Sequence, residues 1–226
     1  MNIVDLDGMD WYQTSDKDGN AVEGGAVMWR DGSDAVDGYS NIGTSYTMDL
    51  GDGVSMTYNQ NTPESMTETV LNEGDWETQR ELVYDKNGNI TGSQNKQPVE
   101  TEGNCFYQAG QMVSNSGATS LGGGNDINTT DGQIDYMNEQ IGNGNSVRVQ
   151  VDYNGNGDGD HWVATSSRTT NLQTQTSTYN FYDPGTVWSD EGTHHTNTFN
   201  VNNGAISGPT HYNNKTYTVT AVRKNQ

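Results

Sequence analysis

Cys105-Phe106-Tyr107-Gln108-Ala109-Gly110-Gln111-Met112-Val113 decides how this chain is read. Cys105, Phe106, Ala109, Met112 and Val113 recur at i, i+1, i+4, i+7 and i+8, the spacing of one helix face. A glycine-rich stretch, residues 121–126, separates this helix from a second. That one opens at Thr130-Asp131, where the side chains suit an N-cap, and carries Ile134, Met137 and Ile141 on one face as far as Gly142. The period then changes. Val147-Arg148-Val149-Gln150-Val151 alternates apolar and polar residues, the mark of a half-exposed strand. Residues 161–167, 177–182 and 216–222 read as further strands. Two helices followed by an antiparallel sheet predict an α+β domain over residues 96–226, with the cysteine-bearing helix packed on the sheet.

Residues 1–95 read differently, as an acidic segment of β-hairpins. Residues 26–30 form a short strand closed by Asp31-Gly32. Residues 45–50 and 54–58 flank Gly51-Asp52-Gly53, and residues 82–92 turn at Asn87-Gly88. Polar residues 93–103 lead into the cysteine helix.

Composition narrows the function classes. Net charge is −20, and residues 1–104 hold 20 acids against 5 bases. Such a surface repels nucleic acid and anionic lipid, which argues against nucleic-acid binding and suits a cationic partner or calcium. A single cysteine excludes an internal disulfide and a cysteine-rich zinc site. No apolar run approaches the ~18 residues of a membrane span. No basic and apolar leader is visible at the N-terminus. The sequence therefore predicts no membrane insertion, and either a cytoplasmic protein or one exported as part of a larger secreted chain.

The chemistry gathers at three places. Cys105 stands where the helix pattern begins, so its thiolate would feel the positive end of the helix dipole. Asp160-His161-Trp162-Val163-Ala164 places a histidine at a strand start, as a base for the thiol. Tyr182-Asp183-Pro184-Gly185 ends the next strand with a carboxylate that could orient the imidazole. Asn180, three residues earlier, points to the other face. Asn104 and Gln97 are the side-chain candidates for an oxyanion donor. His194, His195 and His211 lie in polar loops and read as surface residues. Asp152, Asn154, Asn156 and Asp158 resemble the front of a calcium loop, with Gly157 at its sixth position. Val163 stands where the bidentate glutamate belongs. No cofactor is otherwise implied.

About residues 100–190 resemble the papain-like cysteine peptidases, in the bacterial branch related to the peptidases that process double-glycine bacteriocin leaders. The matching pieces are Asn104-Cys105 with its helix, the helix ending in Ile141-Gly142-Asn143-Gly144-Asn145, the strand at 147–153, Asp160-His161-Trp162-Val163, and Phe181-Tyr182-Asp183-Pro184-Gly185. The resemblance implies a papain-like fold and a Cys105–His161–Asp183 triad acting on a peptide, protein or peptidoglycan substrate. Where the family carries a glutamine six residues before the cysteine, this chain has Val99. The first half, through residues 10–12, 29–33, 38–43 and 84–92, resembles the tails of Rhs/YD-repeat proteins of gut bacteria. That implies a bacterial toxin region delivered on a secreted carrier, with a cognate immunity protein.

Two readings follow. One is a thiol hydrolase, a cysteine peptidase or amidase, that cleaves a peptide or amide bond through an acyl-thioester on Cys105. The other is a catalytically inactive β-rich module that binds a glycan or protein, with or without calcium.

Overall fold

The computed structural model describes residues 9–31, 35–59, 62–72, 80–95, 104–115, 126–185 and 189–225. They form two compact units, residues 1–66 with 171–175, and residues 67–170 with 176–226.

In the first unit β1 (Met9–Thr14) lies between β2 (Val27–Asp31) and β3 (Tyr39–Gly43), antiparallel to both. β4 (Ser45–Gly51) and β5 (Val54–Asn59) form the hairpin expected from Gly51-Asp52-Gly53. β1 alternates in what it buries. Tyr12 is 1% exposed and Asp10 6% exposed, whereas Trp11 is only half-buried. Asp10 takes a hydrogen bond from the Asn41 side-chain amide.

β6 (Thr62–Thr69) crosses the boundary between the two units. β7 (Arg80–Tyr84) and β8 (Ile90–Asn95) pair with each other, across the turn expected at Asn87-Gly88. Asp85 fastens that turn by accepting the backbone N–H groups of Asn87 and Asn89. Asp16 does the same for Asp18 and Asn20 in the first unit.

The second unit then supplies α1 (Asn104–Asn115), β9 (Asp126–Ile127), α2 (Thr130–Gly142), β10 (Arg148–Asp152), β11 (His161–Asn171) and β12 (Ser177–Tyr182). After a single turn, α3 (Ser189–Gly192), come β13 (Thr198–Asn202), β14 (Ala205–Pro209) and β15 (Thr216–Arg223). Strands β10, β15, β14, β13, β12 and β11 neighbour one another in that order, and β11 pairs back onto β10. The sheet is a closed antiparallel barrel.

The expected α+β papain-like architecture is therefore corrected. The described residues are mostly β, with 48% strand and 15% helix, built on a closed six-stranded barrel. The helical and strand patterns of the sequence analysis place α1, α2 and four barrel strands, but not β13 and β14. These two carry a short polar alternation around Asn203-Gly204, which adopt φ 51° and 76°, the left-handed pair that a two-residue hairpin turn requires. Without this hairpin, β12 and β15 have no bridge between them and the strands read as an open sheet.

Side chains fill the barrel, as its size demands. Val149, Val151, Val163, Tyr179, Phe181, Phe199, Ile206 and Tyr217 belong to one buried cluster, joined by Met137 and Ile141 of α2. Phe181 stacks on Phe199 with centroids 4.3 Å apart. Met112 and Val113 of α1 form a second cluster with Leu71 and Ala164. Arg168 fastens α2, giving hydrogen bonds to the Asn138 side chain at 2.8 Å and to Glu68 at 2.6 Å.

The β13–β14 hairpin makes a direct test. Phe199→Ala is expected to cost about 3–5 kcal/mol in urea unfolding. Val201→Thr, two residues along but 39% exposed, should stay within about 0.5 kcal/mol of the parent.

Candidate functional site

Antiparallel pairing puts the start of one strand beside the end of its neighbour. His161 opens β11 and Asp183 directly follows β12, with Ala164 paired to Tyr182, so both lie at one end of the barrel. The same end receives the last residues of β10, since Val151 pairs with His161 and Val219. Tyr217, near the start of β15, completes the group. Cys105 arrives as the second residue of α1. Along β11, Trp162 meets Phe106 of that helix, with centroids 5.1 Å apart in an edge-to-face contact. Ala164 meets Met112 and Val113, while Val163 enters the main core.

The three residues expected from the sequence are thus brought together. His161 Nε2 lies 2.6 Å from Asp183 Oδ1. That nitrogen is taken, so Nδ1 is the one available to Cys105, whose thiol hydrogen-bonds the His161 side chain. Asp183 is fully buried, and its carboxylate is satisfied on every side. Gly185 N–H donates to Oδ1 at 2.7 Å, and the Tyr217 hydroxyl donates to Oδ2 at 2.7 Å.

Electrostatics follow from this chain of contacts. Burial alone would raise the Asp183 carboxyl. The charge and hydrogen bond of His161, with the Tyr217 and Gly185 donors, hold it below its ordinary value instead. Burial alone would keep His161 neutral. Asp183, aided by Cys105, pushes it up to about 10. Burial also opposes the Cys105 thiolate. The hydrogen bond and charge of His161 outweigh that, together with the backbone N–H groups of Trp162 and Phe106, and bring the thiol below its ordinary value. Both shifts run toward the charged forms, the thiol downward and the imidazole upward.

Arg148 holds the floor of the site. It is completely buried, donates to the Phe106 carbonyl at 3.0 Å and lies 3.8 Å from the centre of the Phe106 ring. It fixes the first turn of α1, and with it Cys105, against β10.

Other expected residues fall elsewhere. Asn180 accepts from the Ser167 hydroxyl and donates to the His195 carbonyl, away from the triad. Gln97 and the side chain of Asn104 lie outside the described residues. In the calcium-like loop Asp152 accepts the N–H groups of Asn154, Gly155 and Gly157. Those bonds, Gly157 first, hold its carboxyl below the ordinary value. Among the described residues no three or more His, Cys, Asp or Glu side chains converge as a metal site. His194 stacks on His211 at 3.7 Å and lies 4.2 Å from His195, a grouping that the sequence does not announce.

Two members of the site escape a sequence reading. Tyr217 looks like one more apolar position of an alternating strand. A buried tyrosine, however, needs a partner for its hydroxyl, and Asp183 is that partner. Gly185 looks like ordinary turn material. A Cβ there would sit 2.9 Å from His161 Cε1 and 3.0 Å from Asp183 Oδ1, so any side chain would press into the pair.

No family model, curated protein or solved structure matches the chain. Among the described residues no helix is long and apolar enough to cross a membrane.

Alkylation of Cys105 by iodoacetamide should stay fast well below the usual thiol range near pH 8.5. In His161→Ala the rate should fall and follow an ordinary thiol titration. Tyr217→Phe should shift the profile part of the way. A wild-type profile already centred near pH 8.5 would refute the ion pair.

Proposed function

We propose that the protein is a thiol hydrolase that cleaves a peptide or amide bond. The observation that carries this reading is the continuous line of contacts from Cys105 through His161 to the buried Asp183. Nucleophile, proton carrier and orienting acid stand there in sequence. A core histidine satisfied by one carboxylate would not require a cysteine at a helix start on its other nitrogen.

In this reading the Cys105 thiolate attacks the carbonyl carbon and a C–S bond forms. The carbonyl electrons move to oxygen, which lies near the N-terminus of α1 and the positive end of its dipole. As the tetrahedral intermediate collapses, the C–N bond breaks and His161 delivers its proton to the departing amine. Water then enters, His161 takes its proton, and the C–S bond of the acyl-thioester breaks to release the acid. Asp183 keeps its charge throughout and holds the ring in one orientation.

Substrate choice belongs to the loops at this end of the barrel. A peptide, a protein or the peptide part of peptidoglycan fits the chemistry. The resemblance to Rhs tails adds a setting, a bacterial effector carried on a larger secreted chain, whose producer would need an immunity protein to cover Cys105.

The test is acyl-enzyme formation. With p-nitrophenyl acetate the wild type should give a burst of nitrophenolate equal to the protein present, and a hydroxylamine-labile acetyl group on Cys105 by mass spectrometry. Cys105→Ala should show no burst, and His161→Ala should slow it by about 10²- to 10⁴-fold. Acetylation spread over other residues, or a burst indifferent to His161, would remove the hydrolase reading.

A further inference from the structure

We propose that the first unit binds an organic ammonium group, quaternary or N-methylated, in an aromatic cavity remote in sequence from Cys105. The site follows from strand register. Trp11 of β1 stands directly opposite Trp29 of β2, and Tyr46 of β4 directly opposite Tyr58 of β5. Trp11 joins the two pairs, its ring centre lying 5.0 Å from Trp29, 5.4 Å from Tyr46 and 5.8 Å from Tyr58. The rings are tilted by 55°, 37° and 47°, so they do not close into a flat stack. A cavity of about 370 Å³ opens among Trp11, Trp29, Tyr58, Asn59 and Glu64.

Three features point to a cation. These rings are only half-buried, whereas the rings that serve as core elsewhere, Tyr179, Phe181 and Phe199, are at most 1% exposed. Packing alone does not explain leaving large aromatic faces open around a void. Each ring face carries negative charge density and attracts a cation within about 6 Å, most strongly for tryptophan. Finally, the acidic residue Glu64 is among the lining residues, and none of the five is basic. Residues 1–66 hold twelve acidic and two basic side chains, which favours approach of a cation over a neutral or anionic ligand. A sugar ring could lie on a tryptophan face, but it would draw nothing from the charge of Glu64.

A methylated ammonium suits this wall better than a bare one. Its methyl groups spread the charge over an apolar surface that sheds water readily, and so match the aromatic faces. Its net charge is retained for Glu64.

The full chain, titrated with tetramethylammonium and choline, should show saturable shifts of two tryptophan indole N–H signals in NMR spectra. Trp→Phe substitutions at 11 and 29 would assign them. The neutral isostere 3,3-dimethyl-1-butanol should bind about five- to thirtyfold more weakly than choline. Glu64→Gln, at an exposed position, should weaken choline binding without changing the unfolding midpoint. Equal binding of choline and its neutral isostere would overturn the proposal. So would shifts produced only by neutral sugars, or no response at all. Because wild-type protein carries the decisive comparison, a poorly folded variant would not cloud the result. None of these outcomes depends on Cys105.

Discussion

β10 makes hydrogen bonds along both of its edges, and the rest of the second unit depends on that. One edge holds β11 and the other β15, which closes six strands into a ring. Closure leaves the barrel strands without a free edge and sets their register. It also fixes which residues share a rim: the start of β11, the end of β12 and the start of β15. Three groups far apart in sequence, His161, Asp183 and Tyr217, meet there because the strand register allows no other placement. α1 then needs only to dock on β10 and β11, through Arg148, Phe106 and Trp162, to bring Cys105 to the same rim.

The buried carboxylate of Asp183 organises the chemistry. An unpaired charge in that position would be costly, and one lost donor would leave it unsatisfied. Tyr217, Gly185 and His161 between them occupy both oxygens. The negative charge that results is what sustains a cationic imidazole in a buried place. The imidazolium in turn sustains the thiolate, so each member stabilises the charged form of the next. Burial opposes every one of these charges, and the geometry of the contacts outweighs it. A tyrosine rather than a second ionisable group on Oδ2 keeps the net charge of the cluster fixed, because the phenol is driven far from ionisation by burial and by Asp183.

Local structure was legible in the sequence; closure was not. The face shared by Cys105, Ala109 and Met112, the alternation at residues 147–151 and the strands flanking His161 and Asp183 follow from side-chain periodicity. Cys105, His161 and Asp183 could be singled out because they stand, in chain order, at a helix start, a strand start and a strand end. Closure is a long-range property: it depends on β10 pairing with β15, some seventy residues later in the chain. It also depends on β13 and β14, whose Thr, Asn and Ser residues carry little hydrophobic signal. Only Asn203-Gly204 marks that hairpin. Tyr217 and Gly185 stayed hidden for a related reason. Their roles arise from what approaches them in space, and a buried hydroxyl or a missing Cβ leaves no trace in periodicity. The aromatic cavity of the first unit is likewise a product of register, since Trp11 and Trp29 are eighteen residues apart and meet only because β1 and β2 pair as they do.

The proposed chemistry turns on the charge state of His161. With the histidines of the full chain labelled with nitrogen-15, the imidazole signals report that state directly, and His161→Gln identifies which belongs to this residue. The structure predicts that both ring nitrogens of His161 remain protonated at about pH 8, well above the ordinary histidine value near 6.5. That state should persist in Cys105→Ala and be lost in Asp183→Asn. A His161 that is neutral at pH 8 in the wild type, titrating near 6.5 whether or not Asp183 is present, would contradict the ion pair on which the site rests.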